Sequence, residues 1–123
     1  AGDSGGFYFC PRNTYFGAYH VDIGSLVSTE NNASLLAGLK ALRYLLKRMK
    51  RPNFDEAIRE IEDMIAGIET FIRRTYDTEK GYFRTGGRWD PKTSAFVWDE
   101  VFAVDCQSWV GGVLGAPLVD KWF

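Results

Sequence analysis

Ser28-Thr29-Glu30-Asn31-Asn32-Ala33-Ser34-Leu35-Leu36-Ala37-Gly38-Leu39-Lys40-Ala41-Leu42-Arg43-Tyr44-Leu45-Leu46-Lys47-Arg48-Met49-Lys50 is the stretch that decides the fold. Ser28 or Thr29 is a good helix N-cap, because a side-chain oxygen can accept one of the unpaired first-turn N–H groups. Glu30 sits in that first turn, where a negative charge meets the positive end of the helix dipole. Leu35, Leu39, Leu42, Leu46 and Met49 recur at spacings of four and three and mark one face. Leu36, Ala37, Ala41, Tyr44 and Leu45 widen the apolar surface well beyond one stripe, leaving Lys40, Arg43, Lys47 and Lys50 as a narrow polar track. A helix apolar around most of its circumference is expected to have neighbours on more than one side. The cations of Lys47-Arg48-Met49-Lys50-Arg51 complement the helix C-terminus just before Pro52 and need no nucleic acid to explain them.

Beyond Pro52 a second helix is expected, capped by Asn53, with Asp55 and Glu56 in its first turn. Ile58, Ile61, Ile65, Ile68 and Ile72 repeat every three or four residues, and Asp55, Glu56, Arg59, Glu60, Glu62, Asp63 and Glu69 fill the rest. That is a one-sided amphipathic helix with a wet outer face. The connection is short, so the two helices should be antiparallel neighbours. Residues 29–76 therefore read as a helical hairpin with a broadly buried inner helix and an outer helix buried on one side.

Residues 1–28 are rich in Gly and aromatics, as in Gly5-Gly6-Phe7-Tyr8-Phe9 and Tyr15-Phe16-Gly17-Ala18-Tyr19-His20, and predict a long loop with one short strand. Residues 77–98 predict a β-hairpin: aromatic runs at Gly81-Tyr82-Phe83 and Ala95-Phe96-Val97-Trp98 flank the turn signal Trp89-Asp90-Pro91-Lys92. Residues 99–123 predict a helix from Asp99 to Val113, stopped by Gly111-Gly112 and Gly115, with Pro117 opening a further helix at Leu118. The fold class is thus mainly α: an α/α-hairpin with one short β-hairpin, in a single segment.

The inner helix carries more apolar surface than one hairpin can cover. At roughly 25 cal/mol per Å², several exposed Leu side chains forfeit many kcal/mol. The expectation is that remaining segments of a longer protein, or identical subunits, cover that face.

The 123 residues are 46% hydrophobic and 25% charged, which fits a folded, soluble chain rather than a disordered one. Fifteen basic and sixteen acidic residues leave a net charge of -1, with no general attraction to nucleic acid or to an anionic membrane. No run of about 18 apolar residues is present to span a bilayer. The composition fits an extracellular or a cytoplasmic location equally. Cys10 and Cys106 have no metal-ligand or redox spacing, so they read as two buried thiols or as a long-range disulfide. With one His and two distant Cys a metal site has little support, and no phosphate loop, dinucleotide fingerprint or nucleophile elbow points to a cofactor. The sequon Asn32-Ala33-Ser34 lies at a helix start and argues little for secretion.

Three carboxylate settings could carry chemistry: Glu30 at the inner-helix start, Asp105 within Asp99-Glu100-Val101-Phe102-Ala103-Val104-Asp105-Cys106-Gln107-Ser108-Trp109, and Asp22 near His20. Glycoside hydrolysis needs two carboxyls across the scissile bond, one protonated and one ionised. Carboxylates at inner-helix starts can converge on one rim, and the helix dipole there favours the ionised form. First-turn acids are also common as plain caps, and Asp99 and Glu100 read mainly in that way. Tyr15, Tyr19, Trp98 and Trp109 could stack on pyranose faces, with Asn31, Asn32 and Gln107 bonding hydroxyls and His20 paired with Asp22. Core packing accounts for each ring as well.

Ser28-Thr29-Glu30-Asn31-Asn32-Ala33-Ser34-Leu35-Leu36-Ala37-Gly38-Leu39 resembles an inner-helix start of the six-hairpin glycosidase-like (α/α) toroids. Gly81-Tyr82-Phe83, followed by Phe102-Ala103-Val104-Asp105-Cys106-Gln107-Ser108-Trp109, looks like the rim loop and inner helix of the next hairpin. The resemblance covers residues 20–123 as a pattern. It implies a fragment of an (α/α)6-toroid-like domain that binds carbohydrate at the rim of a central cleft, with Glu30 and Asp105 as catalytic candidates. Such a ring has six hairpins, of which one and a half to two are read here. The rival expectation is a non-catalytic structural or assembly protein that keeps the scaffold. A prenyl- or peptide-cyclase relative ranks last, since no Asp-rich or metal-ligand motif is present.

Overall fold

The computed structural model describes residues 5–11, 13–17 and 21–123. In chain order the elements are β1 (Tyr15–Phe16), β2 (Val21–Asp22), β3 (Leu26–Ser28), α1 (Thr29–Met49), a 3-10 turn (Pro52–Phe54), α2 (Asp55–Thr75), β4 (Tyr76–Asp77), β5 (Tyr82–Phe83), β6 (Gly86–Asp90), β7 (Ala95–Trp98), α3 (Val104–Leu114) and α4 (Ala116–Trp122). The protein is mainly helical, with small antiparallel sheets.

Ser28 caps α1 as its residue type predicts, its Oγ accepting the Asn31 N–H at 3.2 Å. The partner helix α2 runs antiparallel to α1. Lys40 Nζ stands 3.1 Å from Glu69 and Lys47 Nζ 2.6 Å from Glu62, one pair moving up α1 while the other moves down α2. Lys40 and Lys47, from the narrow polar track of α1, therefore reach across to α2 instead of marking a wet face. These pairs are partly exposed and screened by solvent, so they contribute little. Thr29, Asn32, Ala33, Leu36 and Leu39 are buried, and α1 has helices on two flanks, α2 and α3. An open strip remains: Leu35, Leu42, Tyr44, Leu45 and Met49 are exposed.

In α2, Ile61, Ile65, Ile68 and Ile72 are buried with Phe71, the one-sided burial that the isoleucine spacing predicts. Asn53 does not cap this helix. Pro52 opens a 3-10 turn in which the Phe54 N–H donates to Arg51 O, so Phe54 takes the cap position without a side-chain bond.

The 77–98 region splits in two. β6 and β7 form the expected hairpin around Pro91, with Trp89 opposite Phe96, and β3 joins on the other edge in the order β3-β6-β7. Its turn is held by Asp90, whose carboxylate accepts from Lys92 N and Thr93 Oγ1. Tyr82 and Phe83 belong instead to a separate ribbon, β5 against β4. Asp77 Oδ1 accepts from the backbone of Glu79 and Lys80, each at 3.1 Å, and Gly81 turns at φ 73°, so the chain doubles back at once. Among the described residues the leading segment carries three short strands, two of them paired as a β1–β2 ribbon, where the sequence predicts one.

α3 starts at Val104, not at Asp99. The Asp99 N–H donates to Gly86 O and extends the β6–β7 ladder past Trp98, and the Asp99 carboxylate accepts from Thr85 Oγ1 at 3.3 Å. Asp99 is thus drawn into the sheet before any helix can nucleate. Gly115, at φ 77°, separates α3 from α4, and Pro117 lies in the first turn of α4. Phe71 ties sheet to helices: its ring stacks on Trp98 at 6.0 Å and meets Phe96 edge-on at 6.4 Å.

Candidate functional site at the helix starts

α1 and α3 begin with the same construction. Two residues after each cap stands an acid, Glu30 after Ser28 and Asp105 after Ala103; four residues after each cap stands an amide, Asn32 and Gln107. Asn32 Oδ1 accepts the Phe7 N–H at 2.7 Å, while its Nδ2 donates to Phe7 O at 3.0 Å and to the cap carbonyl of Ser28 at 2.8 Å. Gln107 repeats all three bonds with Phe83 N at 2.7 Å, Phe83 O at 2.8 Å and the cap carbonyl of Ala103 at 3.0 Å. Each gripped Phe follows a glycine by two residues, Gly5 at φ 84° and Gly81 at φ 73°. Each is then followed by a β-ribbon, β1–β2 or β6–β7, before its helix starts. Glycine is needed at Gly5 twice over, since a Cβ there would also meet Gly67 O at 2.7 Å.

The two helix starts open on one end of the molecule. The Cys106 thiol lies near the backbone of Glu30. Burial pushes this thiol above its usual pKa, and the nearby Asp105 and Glu30 carboxylates add to the rise. One sulfur therefore has both acids as neighbours. Glu30 is half-buried and Asp105 exposed, with Asp105 Oδ1 accepting the Cys106 N–H at 2.8 Å. Thr29 couples the starts further, its Oγ1 donating to Arg84 O at 2.6 Å and its N–H to Thr85 O at 2.9 Å. Both cysteines are free; Cys106 is buried and Cys10 half-buried.

The other sequence-derived residues divide. Asn31 is exposed at the same end as Glu30. Asn32, only 1% exposed, and the half-buried Gln107 spend their amides on backbone, which also closes the Asn32-Ala33-Ser34 sequon in the folded chain. Trp98 is packed against Phe71 and Phe96, with the Arg84 guanidinium 5.8 Å from its ring. Trp109 is 46% exposed on α3, and Tyr15 is exposed on β1. Tyr19 and His20 lie outside the described residues. Glu100 pairs with Lys80. Among the described residues no group of three or more His, Cys, Asp and Glu could hold a metal ion, and no helix is long and apolar enough to cross a membrane.

Asp22 lies in a different place from the helix-start acids. It lines a cleft of about 300 Å³ with Tyr8, Asn13, Gly24, Ser25, Trp89 and Pro91, between the leading loop and the tip of the β6–β7 hairpin. Asp22 Oδ1 accepts the Gly24 N–H at 2.9 Å. In the sequence Tyr8 reads as part of a long loop and Trp89 as part of a turn signal, and only the folded hairpin brings both to one cleft.

No family model, curated protein or solved structure matches this chain.

Proposed function

We propose that the chain is a carbohydrate-active segment of a glycoside hydrolase-like α/α toroid, which binds or acts on a glycan at the end where α1 and α3 begin. The observation that carries this reading is the repeated construction of the two helix starts: glycine, gripped Phe, β-ribbon, then a helix with an acid after its cap. Repeated units stacked side by side bury one another's faces, and their equivalent ends line a common rim. The equivalent positions of Glu30, half-buried, and Asp105, exposed, support reading them as a pair on that rim. Two carboxyl groups on one rim are what glycoside hydrolysis requires.

The test is Glu30→Gln and Asp105→Asn assayed on a panel of glycans. Loss of turnover in either variant, with folding retained, supports the assignment. Unchanged turnover in both rejects the catalytic roles.

A second reading is a structural or assembly protein that keeps the scaffold without turnover. The open strip of Leu35, Leu42, Leu45 and Met49 on α1 favours it, since such a strip suits burial against protein. Saccharide-independent self-association, together with an inert glycan panel, is the outcome that selects it.

A further inference from the structure

We infer that the cleft between the leading loop and the β6–β7 hairpin tip is a binding subsite for a neutral pyranose, remote from the helix-start acids. The inference deepens the carbohydrate reading and rests on it for the ligand class. It concerns residues that have no part in the proposed chemistry.

The volume, about 300 Å³, is at the small end of ligand cavities and suits one sugar ring better than a large cofactor. Its walls are of two kinds. Tyr8 and Trp89 are half-buried, so each ring is anchored while part of it still faces the cleft. Between them stand a carboxylate, an amide and a hydroxyl, from Asp22, Asn13 and Ser25. A pyranose has the matching duality, with apolar C–H faces and a girdle of hydroxyls that both donate and accept. Among the described lining residues none is Lys or Arg, and the Asp22 carboxylate disfavours a phosphate or sulfate ligand beside it. Two rings and a single carboxylate, mixed with an amide and a hydroxyl, are a poorer match for a quaternary ammonium cage.

The polar groups are placed in advance. The Gly24 N–H holds Asp22 Oδ1, and Asn13 adopts φ 62°, a conformation that asparagine tolerates better than most residues. The Trp89 backbone N–H donates to Ser25 O at 3.2 Å, which ties the strand that carries Trp89 to the backbone of Ser25. β3 then separates the cleft from the helix starts: Ser25 to Ser28 spans roughly 10 Å at the usual rise per strand residue. A single sugar in the cleft therefore does not reach Glu30, and a ligand that touches both must be an oligosaccharide.

The experiment is a titration of the full chain with methyl glycosides of glucose, galactose, mannose and xylose and with their linear oligosaccharides. It follows tryptophan fluorescence and the backbone amide shifts of Gly24 and Ser25. The expected result is saturable quenching with shifts at both amides, tighter for oligosaccharides than for the methyl glycosides. Trp89→Ala should weaken binding about ten-fold. Asp22→Asn, which keeps an acceptor for the Gly24 N–H, should weaken it as well and serves if Trp89→Ala does not fold. Glu30→Gln should leave the shifts of the Gly24 and Ser25 amides with methyl glycosides unchanged, whatever it does to glycan at the helix starts. That separates the two ideas: lost turnover with intact quenching concerns the acids alone, and absent quenching concerns the cleft alone. No response to any saccharide overturns the inference, as does a response to tetramethylammonium in the absence of any to sugars.

Discussion

Asn32 treats Phe7 as a β-strand would, accepting its N–H at 2.7 Å and donating to its carbonyl at 3.0 Å, from a side chain that is almost wholly buried. The leading loop is thereby fastened to the first turn of α1 by a side chain that imitates backbone. Gln107 does the same for Phe83 at the first turn of α3.

Asn32→Ala should therefore destabilise the chain by about 3 kcal/mol, because it strips partners from both backbone groups of Phe7 and leaves them near the core. Gln107→Ala, at a half-buried site, should cost about half as much. Urea denaturation of the two variants checks the order. Equal, negligible losses would show that the amides are ornaments on loops held by other means.

The two flanks of α1 should respond oppositely to truncation. Leu36 is fully buried, so Leu36→Ala should cost about 2–5 kcal/mol. Leu45 is 56% exposed, and Leu45→Ala should stay within about 0.5 kcal/mol. Thermal melts of both variants at several protein concentrations provide the measurement. A concentration-dependent loss for Leu45→Ala would reveal a partner on the open strip.

Asp77 gives the fold an acid-sensitive joint. Hydrogen bonds from the Lys80 and Glu79 backbone, and the Arg84 guanidinium at 2.7 Å, hold its carboxyl below the usual aspartate value of 3.8. A depressed folded-state pKa means that its stabilising contribution is complete above that value and is lost as pH falls through the folded-state pKa. Asp90, held down by Lys92 N and Thr93, adds in the same direction. Stability measured from neutral pH down into the acid range should fall less steeply in Asp77→Asn than in the parent chain. A parallel decline in the two would remove Asp77 from the account.

Cys106 should be the slow thiol. Burial and two neighbouring carboxylates raise its pKa, while Cys10 is half-buried. Alkylation near pH 8, followed by peptide mass spectrometry, should label Cys10 first, with Cys106 slower by about ten-fold or more until denaturant is added. Glu30→Gln should lower the Cys106 pKa and speed its labelling, because one opposing charge is gone.

The helices were legible because their signals are local. Ser28 as a cap, the isoleucine stripe of α2, the turn at Pro91 and the stop at Gly115 each follow from a few adjacent residues. Among the local signals that misled, Gly111-Gly112 lie inside α3 instead of stopping it, and two others share one cause. Asn53 looks like a cap, yet Pro52 had already begun a 3-10 turn; Asp99 looks like a first-turn acid, yet the β6–β7 ladder claims its backbone. In both, a neighbouring element captured the backbone group that the cap would have used.

Sequence alone determined that two long helices form a hairpin, that α2 has one dry face, and that Glu30 stands in a first turn. Tertiary structure alone decided that lysines of α1 turn to α2 while several of its leucines stay open. It also placed Glu30 and Asp105 near one thiol, gave Asn32 and Gln107 to the backbone of distant phenylalanines, and brought Trp89 and Asp22 to one cleft. Periodicity and capping act within a turn or two of the chain, whereas these placements come from elements packing across long loops, and residue spacing carries no record of them.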